Sequence, residues 1–165
     1  MLRKLIALIL YVVRGLQDGG VPRTKLMKAL FLVDYRASKV IGRPITGVRW
    51  FKYLYGPFSK KLLDVLDILE EEQALEMREV ESRHRRIYMA YRIAPRAEEL
   101  LEKLIEEELD DQELRIINEV IEELRDLDVD EVKNKVYQLP EVKEADIGEP
   151  IVLPIRIPKE VVEEL

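Results

Sequence analysis

Few side chains in this sequence could do chemistry, and they do not converge. His84 is the only histidine and falls in Ser82-Arg83-His84-Arg85, an expected turn tip. A Ser-His-Asp triad needs its base held beside a nucleophile, and a histidine-rich metal site needs several such side chains. The absence of cysteine excludes disulfides, thiolate nucleophiles and thiolate metal sites. Gly19-Gly20 and Gly56-Pro57 lack the spacing and the following Lys-Ser/Thr of a phosphate-binding loop. Acidic residues crowd 98–131 so densely that a close carboxylate pair there identifies nothing. The expectation is a protein that is not an enzyme and carries no cofactor and no metal.

Binding is the chemistry that remains. Trp50-Phe51-Lys52-Tyr53-Leu54-Tyr55-Gly56-Pro57-Phe58 gathers aromatics on either side of a turn signal. Such side chains suit a core corner or a partner surface, because a large apolar body carries a polar handle. Gly56 can take backbone angles closed to other residues, and Pro at a first helical position starts helices, so Tyr55-Gly56-Pro57 reads as an aromatic turn feeding a helix. A second set is basic: Lys60 and Lys61 after that turn, and Arg83, Arg85 and Arg86 further on.

These sets sit in a chain of uneven charge. Of the 27 Lys and Arg, 18 lie in residues 1–92 against 10 Asp and Glu, leaving 9 against 23 for residues 93–165 and a net −6. The overall charge speaks against nucleic acid, whereas the first part alone does not. Alternatively, the two parts attract each other within one globule. With 165 residues, 47% of them hydrophobic, the chain fits one soluble domain able to bury a full core. Abundant Glu, Lys and Arg, no Cys and only Asn118 and Asn134 lean towards a thermophile.

The elements that position these residues follow from periodicity. Leu2, Leu5, Ile6, Ile9, Val12, Val13 and Leu16 recur at helical spacing over residues 1–17. A basic start before an apolar run resembles a signal peptide, but the run is too short to span a membrane and no small-residue cleavage site precedes Arg14. The expectation is a buried first helix in a cytoplasmic protein without membrane contact. After Asp18-Gly19-Gly20-Val21-Pro22, Thr24 is the expected N-cap of a second helix ending near Gly42, with Lys25 and Lys28 together on its flank. A third helix is expected over 57–70, with Lys60 and Lys61 outward. The period then becomes two, and residues 75–93 read as a β-hairpin. Further helices follow over 95–137 on both sides of Asp110-Asp111, then a Pro-punctuated tail in which Pro158 opens a last turn. The fold class is α+β, mainly α: a winged-helix-like core with one β-hairpin over 1–93, and an acidic helical extension and tail over 94–165. The apolar helical pairs also permit a homodimer.

Lys25-Leu26-Met27-Lys28-Ala29-Leu30-Phe31-Leu32-Val33-Asp34 resembles the K-L-x-K-L-L-Y-x-x-D helix of the Panacea domain, the SocA-like antitoxin family. Gly42-Arg43-Pro44 and Trp50 to Pro57 resemble that family's G-x-P and W-x-Y-G-P element. The tail, with Leu139-Pro140-Glu141-Val142-Lys143 and Gly148-Glu149-Pro150-Ile151, is similar to its C-terminal Pro-rich segment. Ala29 replaces a Leu, the spacing from Trp50 to Tyr55-Gly56-Pro57 is longer than usual, and Val136-Tyr137 stands near where many members carry Ser-His.

The resemblance implies a binding module that neutralises a protein toxin encoded nearby or hands a partner to a protease. Lys25, Lys28, Trp50, Tyr53, Tyr55, Gly56 and Pro57 are the expected partner-binding residues. The alternative is a winged-helix DNA-binding regulator using Lys60 and Lys61 on a recognition helix and Arg83, Arg85 and Arg86 on a wing, with affinity that falls steeply with salt.

Overall fold

Helix α1 (Leu2–Leu16) is apolar almost all round, which places it inside the molecule rather than on its surface. Leu5, Ala7, Leu8, Ile9, Leu10, Val12, Val13 and Leu16 are buried, while Leu2, expected on the core stripe, is exposed at the helix start. The computed structural model of the chain describes residues 2–81 and 85–165. The architecture is α+β and mainly α.

A two-residue strand, β1 (Val21–Pro22), leads directly into α2 (Arg23–Val40). Thr24 is not the N-cap: Pro22 holds that position without a side-chain cap bond, because it pairs with Ala90 in a sheet and the helix starts at once behind it. Helix α2 is the central element, and its Leu26, Ala29, Leu30, Phe31, Val33 and Ala37 are completely buried.

The aromatic stretch forms a hairpin that the sequence reading does not contain. Strands β2 (Phe51–Tyr53) and β3 (Gly56–Phe58) pair antiparallel with Phe51 opposite Phe58 and Tyr53 opposite Gly56. Pro57 therefore lies in a strand and does not open a helix. Proline is tolerated in a short strand of this kind because a two-stranded ribbon leaves amides free of ladder demands. Helix α3 (Lys60–Glu71) starts later, where the Ser59 hydroxyl accepts from the Leu62 amide at 3.2 Å.

Strands β4 (Leu75–Glu81) and β5 (Ile87–Ile93) form the expected hairpin, and β1 adds to β5, giving the order β1-β5-β4. Among the described residues the fold thus contains two hairpins where one was expected. Arg83 and His84 lie outside the described residues.

After a 3-10 turn at Pro95–Ala97 come α4 (Glu98–Glu108), α5 (Asp111–Leu124) and α6 (Val129–Tyr137). The last two open with capping boxes, Asp110 with Glu113 and Asp128 with Glu131. Helix α4 packs on α1, α5 on both α1 and α2, and α6 on α2. The uneven charge is spent in this packing. Arg3 pairs with Glu107 and Glu108, Arg14 with Glu98 and Glu102, and Arg36 with Glu119 and Glu123. Lys4 and Arg43 meet on Glu113, which is only 1% exposed.

A short helix, α7 (Pro140–Glu144), leads into an extended return along β2. The Lys52 amide donates to the Glu149 carbonyl at 2.9 Å, and the Ile151 amide to the Trp50 carbonyl at 2.8 Å. The chain ends with α8 (Lys159–Glu163), the turn expected after Pro158, which buries none of its residues. Among the described residues, no helix is long and apolar enough to cross a membrane.

Candidate partner-binding site

Asp34 on α2 organises the aromatic stretch. Its carboxylate is fully buried and accepts from the Ile45 amide at 2.7 Å, the Thr46 amide at 2.9 Å, the Thr46 hydroxyl and the Trp50 indole at 2.9 Å. Burial pushes this carboxyl above the usual range, and the four donors oppose that shift without cancelling it. The loop between α2 and β2 is thereby clamped onto the helix. Trp50 is 2% exposed and stacks edge-on against Phe31 at 5.4 Å. Its place is the core, and it offers no surface to a partner.

The hairpin carries the next residues outward. Tyr53, Leu54 and Tyr55 are 46%, 72% and 76% exposed at its tip. Leu54 and Tyr55 keep negative φ, and Gly56 supplies a φ of 105°, as in hairpin loops closed by a glycine bulge. Tyr53 packs edge-on against Phe58 at 5.0 Å. The Tyr137 hydroxyl, on α6, donates to the Leu54 carbonyl at 2.9 Å and anchors the loop from below. Gly56 and Pro57 are buried under the tip and shape it without meeting solvent.

The two lysines expected together on the flank of α2 are both buried, and they part company. Lys25 donates its ammonium to the Leu127 carbonyl at 2.7 Å and the Arg125 carbonyl at 3.5 Å. It therefore satisfies carbonyls at the C-terminal end of α5, where a cation suits the helix dipole. Lys28, 4% exposed, makes no hydrogen bond or ion pair among the described residues. It runs beneath the hairpin: a Cβ placed on Gly56 would lie 3.4 Å from its Cε and 3.7 Å from the Tyr137 hydroxyl. Burial, and then the like charge of Lys133, push its ammonium down to about 8.

The structure thus brings Lys28, Tyr53, Tyr55, Gly56 and Pro57 together and leaves Trp50 and Lys25 in structural positions. Leu54, Lys133 and Tyr137 complete the site and were not picked out from the sequence. Leu54 was legible as the one aliphatic residue inside the turn. Tyr137 stands out in the sequence only by its place near the family's Ser-His position; its anchoring role depends on a contact with a loop far away in the chain.

Among the described residues, the basic residues of the DNA-binding alternative are interspersed with acidic ones. Lys60 and Lys61 are exposed at the start of α3, but Asp64 and Asp67 are exposed on the same helix, and Asp67 lies 3.6 Å from Arg23. The adjoining strand β4 exposes Glu76, Glu79 and Glu81 around a single Arg78. Arg85 and Arg86 are exposed at the edge of the described hairpin. Among the described residues no cluster of three or more His, Asp or Glu is placed to hold a metal ion.

The family model for the antitoxin SocA-like Panacea domain matches residues 26–141, from the helix that carries Lys28 and Asp34 to the start of α7. No curated protein and no solved structure matches the chain significantly. The matched span takes in the Asp34 clamp, the aromatic hairpin and the Tyr137 anchor, and the chain belongs to the SocA-like antitoxin family as a Panacea domain.

Proposed function

We propose that this chain is a protein-binding module of antitoxin or proteolytic-adaptor type, engaging a partner such as a nearby-encoded toxin through the tip of the β2–β3 hairpin. The observation that carries this reading is the contrast within one motif. Trp50, Gly56 and Pro57 are buried, whereas Leu54 and Tyr55 are held out in solvent by Gly56 and Tyr137. A rigidly presented Tyr and Leu give apolar contact area at low entropic cost, and interface energy concentrates in side chains such as Tyr. Family membership supports a non-catalytic role that works through a protein partner.

The order α1, β1, α2, α3, β4, β5, interrupted by the β2–β3 hairpin between α2 and α3 and with β1 added to β5, supports a winged-helix-like core within a single 1–165 domain. The acidic residues exposed on α3 and β4 weigh against duplex DNA as its ligand, since phosphates need a positive surface.

Co-expression with the product of the adjacent gene, followed by co-purification and calorimetry, tests the reading. Tyr55→Ala should weaken the complex by roughly thirtyfold, equivalent to about 2 kcal/mol, while leaving the melting temperature nearly unchanged. Undiminished binding by both Tyr55→Ala and Leu54→Ala would overturn the hairpin tip as the contact surface.

A further inference from the structure

Lys28 is a charge that the fold itself does not use. The other lysine and arginine side chains at the packed interfaces of α1 and α2 have partners: Lys4 and Arg43 share Glu113, Arg14 has Glu102, Arg36 has Glu123, and Lys25 has helix-end carbonyls. In a chain with 33 Asp and Glu, no carboxylate lies within ion-pair distance of the Lys28 ammonium among the described residues. The Tyr137 hydroxyl, close to Gly56, donates to the Leu54 carbonyl, and the nearby charge of Lys133 has the same sign. The Lys28 ammonium is nevertheless not sealed off. Among the described residues the fully enclosed polar side-chain atoms without partners are Ser38 Oγ and Arg92 Nε. The end of the Lys28 stem lies beneath Gly56, near Tyr137, at the foot of the Leu54 and Tyr55 tip.

We infer that Lys28 is the receptor for an acidic side chain of the partner, an Asp or Glu flanked by apolar residues that rest on Leu54 and Tyr55. This rests on the reading of the hairpin tip as the partner surface and adds the chemistry that selects the partner. An ammonium already stripped of most of its water loses little more on binding, so a carboxylate brought to it gains Coulomb energy in a low-dielectric setting. A partner lacking that acid would cover the ammonium and leave it unpaired, which rejects it. Lys133, exposed on α6, adds a second positive charge nearby and steers acidic segments towards Lys28.

The test uses the full chain and a library of random nonamer peptides displayed on phage. Peptides enriched on the unmodified protein should carry one Asp or Glu at a fixed distance from apolar residues. Exchanging that acid for its amide in synthetic peptides should weaken binding roughly thirtyfold or more. Lys28→Met should bind the acid and amide versions equally, and the amide exchange keeps the test valid even if that variant folds poorly. No enrichment, enrichment without an acidic position, or an acid preference that survives in Lys28→Met would overturn the inference. Peptides that lose affinity for Tyr55→Ala yet show no acid preference would overturn it while upholding the tip as a protein-binding surface. Peptides indifferent to both substitutions would overturn both.

Discussion

Replacing Lys28 by methionine should make this protein more stable at neutral pH, with a gain that fades as the pH rises. Methionine keeps the length and the apolar body of the lysine stem, so the packing beneath Gly56 is largely preserved while the charge is removed. The ammonium is depressed from the ordinary lysine value of 10.5 to about 8, which corresponds to roughly 3 kcal/mol of destabilisation by the charged form. Below pH 8 the lysine is protonated in both folded and unfolded chains, and the folded state bears that whole cost. Between pH 8 and 10.5 the unfolded chain binds the proton more tightly, so the stability of the unmodified protein climbs with pH. Above that window both forms are neutral and the cost is gone. Urea unfolding at pH 7, 9 and 10, on both proteins with equal m-values, should show Lys28→Met ahead by about 3 kcal/mol at pH 7 and by under about 1 kcal/mol at pH 10. Other ionisable groups are common to the two proteins and drop out of the difference. A variant no more stable than the unmodified protein at pH 7, or a difference that does not shrink with pH, would refute the picture of a buried and unpaired cation. A stabilising change that removes function is the expected signature of a residue kept for binding.

Three further outcomes test the surroundings. Asp34→Ala orphans four buried donors and should cost about 3 kcal/mol or more in chemical denaturation. The emission of Trp50, the chain's single tryptophan, should shift to the red as the clamped loop loosens. Gly56→Ala places a Cβ against Lys28 at a φ of 105° and should lower stability by about 1 kcal/mol or more, read from the melting temperature. Lys133→Met removes the like charge beside Lys28, so an NMR titration should find the Lys28 ammonium moved back up towards its ordinary value.

Local pattern was enough to read several elements. The unbroken apolar face of residues 1–17 specified a buried helix, and the change from helical to alternating period at Leu75 specified the β4–β5 hairpin. The break at Asp110-Asp111 separated α4 from α5, and the motif residues from Lys25 to Asp34 and Trp50 to Pro57 carried the family. These are short-range signals, set by side-chain period and turn chemistry.

The site depended on distances the sequence does not display. Lys25 and Lys28 are alike in type and one turn apart on the same helix, yet one caps α5 and the other is left unpaired, because α5 and α6 arrive from much further along the chain. Trp50 and Tyr55 belong to one aromatic run, but a buried carboxylate on α2 takes the first indoors while the Tyr137 anchor helps hold the second out. At Gly56-Pro57, local rules allow both a helix start and a strand. Pairing with Phe51–Tyr53 decides for the strand, since it satisfies the neighbouring backbone and hands the helix start to Ser59. Composition and period determined the main helices and the β4–β5 hairpin; pairing and the packing of distant elements determined the β2–β3 hairpin and which side chains keep their charge, their hydrogen bonds and their access to solvent.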